Sequence, residues 1–150
     1  MSRLELEVES EIAAAPERVL EALGDPAGYP DWVATLRSLE EGPRGTWIAR
    51  AGYLGYERVL EFRRLPSPEG SVSWRGRDSG FEAGLDVTAT PRGARRAIVR
   101  FNGFIEGSDR ILGLRVDHEL ISVSLRLAAE HSLTRLERIA AARPPVLAEA

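Results

Sequence analysis

The sequence predicts an α+β fold in which a curved, seven-stranded antiparallel sheet wraps around a long C-terminal helix. Three observations carry this prediction. The N-terminal stretch alternates between apolar and charged residues, six further strand patterns follow in the middle of the chain, and residues 108–142 show helical apolar spacing without proline. A sheet with one apolar face needs a cover, and this helix is the only element large enough.

Local patterns predict the first strand and two short helices. Apolar and glutamate side chains alternate over residues 4–12, which is typical of a half-buried strand. Pro16 fits the first position of a helix, where its missing N–H costs nothing. The glycine–aspartate–proline run at 24–26 ends that helix, and a second short helical piece is predicted around 27–33.

Six strands are predicted after Leu36, because short turn-forming separators divide this part of the chain. Separators this short imply that sequential strands are antiparallel neighbours. The predicted strands are 36–42, 45–52, 55–65, 71–79, 80–90 and 94–105.

Charges on the outer faces of these strands predict their order in the sheet. The first strand is acidic on this face, the seventh basic, the sixth acidic, the fifth basic, the fourth acidic and the third basic. Opposite charges on neighbouring strands stabilise pairing by about 0.2–1 kcal/mol per pair, and like charges oppose it. We therefore predict the order 1-7-6-5-4-3-2, with the first strand paired to the seventh.

The C-terminal stretch also contains a strand-like alternation at 121–127, but its apolar spacing as a whole favours a helix. Residues 127–139 are expected to be held tightly by the sheet. Residues 111–124 are expected to form a looser part, with a bend near Gly113 or Asp117.

Composition excludes several classes of protein. A chain of 150 residues predicts one domain over 1–150, with 143–150 as a flexible tail. The net charge of −3 argues against a nucleic-acid partner, and no apolar run is long enough for stable membrane insertion. A cytoplasmic protein, monomeric or homodimeric, is the expectation. The chain has no cysteine, and His118 and His131 lie too far apart to chelate one metal ion. We therefore expect no metal site, and we expect no cofactor.

A run of residues near the N-terminus carries a family resemblance. It comprises Ile12, Ala15-Pro16-Glu17, Val19, Leu23, Asp25, Tyr29-Pro30 and Trp32, and Ser132-Leu133-x-x-Leu136-x-x-Ile139 accompanies it near the C-terminus. This pattern resembles the START-like, Bet v 1-like and polyketide cyclase/dehydrase proteins of the SRPBCC superfamily. It departs from them at Leu20, where many members carry an aromatic residue. The resemblance implies a helix-grip fold with a deep apolar cavity that binds a lipid, polyketide or other bulky hydrophobic molecule.

Side-chain parity predicts which residues face that cavity. Large aromatic residues share the inner face of the sheet with two polar residues, Arg58 and Asp78. If Leu65 faces Ser71 across the 66–70 turn, Arg58 lies directly opposite Asp78. An inward arginine is costly unless it is paired, so an ion pair is expected. The predicted ligand-binding residues are Trp32, Trp47, Tyr56, Arg58, Phe62, Trp74, Asp78, Phe81, Phe101 and His118.

Three functions are compatible with the sequence. The favoured one is the non-catalytic binding of a hydrophobic small molecule, because only one inward polar pair is predicted. The first alternative is a polyketide cyclase or aromatase in which Arg58, Asp78, Tyr56 or His118 assists proton transfer. The second is a protein-interaction or chaperone-like module. No catalytic residue is assigned.

Overall fold

The computed structural model describes residues 2–53, 56–78, 80–107 and 118–142. Its elements are β1 (Ser2–Ile12), α1 (Pro16–Leu23), a 3-10 helix (Pro26–Asp31), β2 (Leu36–Glu41), a 3-10 turn (Pro43–Gly45), β3 (Trp47–Tyr53), β4 (Tyr56–Leu65), β5 (Ser71–Asp78), β6 (Phe81–Pro91), β7 (Ala97–Gly107) and α2 (His118–Ala142). This order confirms the α+β helix-grip prediction. The predicted helix start at 108–117, with its bend, and the tail at 143–150 lie outside the described residues.

All seven strands form one curved antiparallel sheet in the predicted order β1-β7-β6-β5-β4-β3-β2. β1 pairs with β7 along its whole length, from Ser2 opposite Gly107 to Ile12 opposite Ala97. The first strand of the chain thus closes onto the last one, and the meander from β2 to β7 supplies the other neighbours.

Ion pairs on the outer face follow the predicted alternation of charge. Arg100 of β7 lies 2.7 Å from Glu9 of β1, and Arg75 of β5 lies 3.0 Å from Asp86 of β6. These pairs are partly exposed, so each one stabilises the fold only modestly. Their value here is in specifying the strand neighbours.

The predicted register between β4 and β5 is wrong. Leu65 lies opposite Ser73 and not opposite Ser71, because the connection takes in two more residues than a tight turn at 66–70 would need. Prolines at positions 66 and 68 lack the N–H that would extend the ladder. Ser71 instead donates its backbone N–H to the carbonyl of Pro68 at 3.1 Å and pairs with β6.

Helix α2 packs against the inner face of the sheet and also covers the free edge of β1. Arg126 donates to the backbone carbonyl of Glu7 at 3.2 Å, and Glu137 accepts from the backbone N–H of Ala13 at 2.7 Å. Leu136 is completely buried beneath this contact. Unpaired strand edges invite association, so these two side chains both protect the edge and set the height of α2 over the sheet.

Candidate functional site

A cavity of about 230 Å³ lies between the inner face of the sheet and α2. Its walls are predominantly apolar. It is lined by five aromatic residues, seven aliphatic ones, a stripe along α2 and several small residues of the strands, namely Tyr29, Phe62, Trp74, Phe101 and Phe104; Leu4, Leu6, Val33, Leu36, Leu39, Leu85 and Ile105; Ser122, Leu125, Ala128, Ala129 and Ser132; and Ala49, Ala51, Ala83, Gly84 and Gly103.

The space exists because small residues alternate with large ones on the inner face. Gly103 of β7 lies opposite Leu6 and Leu85 and brings no side chain of its own. Gly76 of β5 has a different role, since a Cβ atom there would lie 2.6 Å from the Phe62 ring. The Phe62 ring therefore lies flat over Gly76 and forms a fixed part of the wall.

Tyr29 joins three elements beside the cavity. Its hydroxyl donates to the backbone carbonyl of Leu23 at the end of α1 and accepts from the Trp74 indole N–H of β5 at 3.3 Å. Burial raises the pKa of Tyr29 above its usual 10.0, although the Trp74 hydrogen bond and the charge of Arg64 oppose this shift. The hydroxyl stays neutral, and its hydrogen-bonding capacity is directed to the protein.

Ser132 ties α2 to the segment that precedes β2. Its hydroxyl donates to the carbonyl of Ala128 at 2.8 Å and accepts from the backbone N–H of Ala34 at 2.9 Å. The residue is buried, so this bond fixes the distance between the helix and one wall of the cavity. The hydroxyl of Ser122, by contrast, has no hydrogen-bond partner among the residues that the structure describes.

Within the described part of α2, the buried residues Ala129, Leu133 and Leu136 lie in the half that is expected to be held tightly, but the cavity also extends along this half. Ala128 and Ser132, which the sequence places in the tightly held half, line the cavity. Leu127 is 52% exposed and Val123 is 56% exposed, because they lie on the side of α2 that faces away from the sheet. Ile121 begins the stripe that points inward, and at 3.6 residues per turn this stripe continues beside the cavity to Ser132.

Arg58 and Asp78 form the predicted ion pair, with Arg58 Nη1 3.0 Å from Asp78 Oδ2. Because the β4–β5 register is shifted by two residues, the pair is diagonal and not directly across the strands. Arg58 lies opposite Ala51 in β3, so it shares the cavity-facing parity. Its guanidinium lies 4.6 Å from the centroid of the Phe81 ring.

This cluster of Arg58, Asp78 and Phe81 lies outside the cavity lining, at the start of β4, the end of β5 and the start of β6. The two charged side chains are 32% and 38% exposed. They therefore keep much of their hydration, and the pair needs no second compensating charge. The cluster forms a polar rim beside an apolar space.

The other predicted residues fall into three groups. Phe62, Trp74 and Phe101 line the cavity. Trp32 and Trp47 belong to the core behind the lining, where the buried Trp32 indole N–H has no partner among the described residues. The side chains of Tyr56 and His118 lie outside the described residues, so their predicted roles stay predictions.

Sequence reasoning missed the aliphatic and hydroxyl residues of the lining. Leu4 and Leu6 share the inner parity that predicts the aromatic residues, so the same alternation could have found them. Tyr29 belongs to the N-terminal motif, but the motif assigns it no role. Ser122 and Ser132 could not be singled out, because serine on a helix is more often solvated or bonded to its own backbone.

Residues 3–141 match the profile of a family described as polyketide cyclase / dehydrase and lipid transport. No curated protein matches the chain.

No helix in the described ranges is long and apolar enough to cross a membrane, and no group of acidic or histidine side chains there could hold a metal ion.

Solved structures share the fold at low sequence identity. A START superfamily protein from Mycobacterium smegmatis is 15% identical with a TM-score of 0.73, and the match covers 89% of this chain and 94% of that one. The Zhui aromatase/cyclase from Streptomyces sp. R1128 is 15% identical with a TM-score of 0.74, over 93% and 94%. A protein from Thermus thermophilus is 20% identical with a TM-score of 0.72, over 91% and 97%.

Proposed function

The chain belongs to the polyketide cyclase / dehydrase and lipid transport family, and from this membership we propose that it binds a hydrophobic small molecule in the cavity between the sheet and α2. Lipids, polyketides and aromatic compounds are the candidate ligand classes. The proposal assigns the chain a binding role and no chemical step.

One observation carries the proposal, which is the chemistry of the cavity lining. In the described part of the chain, Glu5 is the only charged residue in the lining, and its carboxylate is bonded 3.0 Å away to Arg3. Tyr29, the other titratable residue of the lining, directs its hydroxyl to Leu23 and Trp74. A space of this kind favours apolar guests, because transferring apolar surface out of water supplies most of the binding free energy.

Arg58 is the proposed polar anchor at the rim. A guanidinium presents a planar set of donors that matches a carboxylate or a carbonyl group. Arg58 shares the cavity-facing parity with Ala51, and Ala51 lines the cavity. A ligand whose apolar body fills the cavity could place a polar end beside Arg58 and Asp78.

A cyclase is the second candidate function, and it is favoured by the charged pair at the rim of the cavity, Arg58 and Asp78. Acid–base catalysis on a bound substrate needs groups within hydrogen-bond reach of the reacting atoms. These two side chains bind each other at the rim, so the apolar lining supports binding more strongly than catalysis. A protein-interaction role has no comparable observation in its favour.

Native mass spectrometry of the purified protein tests the binding proposal. We expect a one-to-one adduct that organic extraction removes. Ala83→Leu, which fills part of the cavity, should lose at least three-quarters of the adduct. Thr88→Leu changes an exposed position of the same strand and should keep the adduct.

A third variant tests the polar anchor independently of the cavity. Arg58→Ala should weaken binding of an acidic ligand about tenfold and leave a neutral analogue unaffected, because it removes a charge and not apolar surface. An adduct held equally by Ala83→Leu and Thr88→Leu would refute the cavity as the site. So would the absence of any adduct together with no saturable binding of small apolar compounds.

A further inference from the structure

The size of the cavity limits the ligands that it can hold. An apolar cavity of about 150 Å³ is enough to bind benzene, so by simple proportion a space of about 230 Å³ encloses about nine non-hydrogen atoms. Because the space is partly open to solvent, the last one or two atoms of a two-ring alcohol can lie at its mouth. Pockets for drug-sized molecules run from roughly 300 to 1,000 Å³. The enclosed space is thus larger than one aromatic ring needs and too small to bury the whole of a larger polycyclic compound or of a lipid with two chains.

Two walls keep this volume from growing easily. The Phe62 ring lies flat against the backbone of Gly76, so it cannot retreat toward the sheet. Trp74 is 4% exposed, and its indole N–H is held by Tyr29. Tyr29 in turn holds the end of α1 through Leu23. Moving either ring outward would break packing or hydrogen bonds that the fold uses.

The lining also limits the charge and shape of a ligand. No charged side chain of the described residues is available inside the cavity, so an ionised group placed there would be buried without compensation. Aromatic walls at Tyr29, Phe62 and Phe101 offer ring faces and edges, which suit another ring. The Ser122 hydroxyl, which has no partner within the described chain, can bond to one hydroxyl or carbonyl group.

We propose that the cavity selects compact compounds of about two fused rings whose enclosed part is uncharged and carries a single hydroxyl or carbonyl group, and binds larger ring systems and long acyl chains more weakly. This inference rests on the proposed binding function and narrows its ligand class. It assigns the size limit to Phe62 and Trp74 and the polar contact to Ser122.

Isothermal titration calorimetry with a graded series tests the proposal. The series is phenol, 2-naphthol and a hydroxyphenanthrene, with decanol and palmitate as chain compounds. We expect 2-naphthol to bind at least tenfold more tightly than each of the other four. Ser122→Ala should weaken 2-naphthol several-fold and leave naphthalene itself unchanged.

Wall variants test whether the cavity sets the limit. Phe62→Ala should bring the hydroxyphenanthrene to at least tenfold tighter binding, because it removes one ring from the wall. Leu39→Ala enlarges the cavity at a different wall and serves if Phe62→Ala does not fold. Ala83→Leu should weaken 2-naphthol at least tenfold while phenol still binds, and Thr88→Leu should change nothing.

Each negative result would contradict a different part of the proposal. If the hydroxyphenanthrene, decanol or palmitate binds as tightly as 2-naphthol to the unaltered protein, the size and ring selection is overturned while the binding function stands. If the wall variants leave the order of affinities unchanged, the cavity does not set the selection. If no compound binds and no adduct is seen by native mass spectrometry, the proposed function itself is overturned.

Discussion

Replacing Tyr29 by phenylalanine should destabilise the fold by about 2 kcal/mol. The Tyr29 hydroxyl satisfies two buried groups, the Leu23 carbonyl and the Trp74 indole N–H. Leu23 is 1% exposed and Trp74 is 4% exposed, so water cannot replace the lost partner at either place. A buried polar group left unsatisfied costs about 1–3 kcal/mol. The long 3.3 Å bond from Trp74 contributes less than the bond to Leu23, which sets the total near the middle of this range.

Phenylalanine isolates the hydroxyl, because it keeps the ring of Tyr29. The ring packs edge-on against Trp32 at 5.3 Å and against Trp74 at 5.7 Å, and both contacts survive the substitution. Urea unfolding monitored by tryptophan fluorescence gives the change in the free energy of unfolding. For a chain of this size, a loss of about 2 kcal/mol lowers the melting temperature by roughly 4–8 °C.

The matched control is Thr134→Val, which removes an exposed hydroxyl that donates to the Glu130 carbonyl at 3.1 Å. Water can replace that hydrogen bond, so the change should stay within about 0.5 kcal/mol. If Tyr29→Phe costs no more than Thr134→Val, the hydroxyl does not hold α1 and β5 together. The account of Tyr29 as a fixed wall of the cavity would then fail as well.

Three further outcomes are expected. Burial holds the pKa of Tyr29 above 10.0 in the folded protein, so the unfolded chain loses this proton first as pH rises. The free energy of unfolding should therefore fall above pH 10, and the difference in this free energy between wild type and Tyr29→Phe should become smaller there. A difference that stays constant in urea titrations from pH 8 to 11 would contradict this. Gly76→Ala should cost about 1–3 kcal/mol, because its Cβ would displace the Phe62 ring, whereas Gly103→Ala on the same face should cost distinctly less in the same thermal melts. Ser132→Ala should cost about 1–2 kcal/mol by chemical unfolding and speed amide exchange in the segment before β2, and unchanged exchange there would argue against Ser132 as the tie.

The sequence predicts which side of each strand faces the cavity, but not which residues along that side line it. Alternation places Phe62, Trp74 and Phe101 toward the helix, and all three line the cavity. Parity cannot say how far along a strand the cavity extends, so it groups Trp47 and Phe81 with them although neither lines the space. Depth within the sheet depends on the height at which α2 packs, which no local pattern encodes.

The sequence likewise predicts one property of the Arg58–Asp78 ion pair and not another. Its existence follows from charge and parity alone, because an inward arginine needs a partner on the same face. Its geometry does not, since the β4–β5 connection adds two residues and makes the pair diagonal. Loop conformation is set by hydrogen bonds within the turn and to β6, which the flanking strands do not reveal.

The sequence by itself determined the order of elements, the strand neighbours and the inner face, because side-chain alternation and cross-strand charge are local or pairwise properties. The tertiary structure alone decided that a cavity remains, how large it is and which hydroxyls stay available. Gly103 leaves space beside Leu85 because it has no side chain of its own, and Ser132 is occupied only because Ala34 reaches it. Such outcomes depend on how several elements meet at once, so they follow from packing and not from any single stretch of the chain.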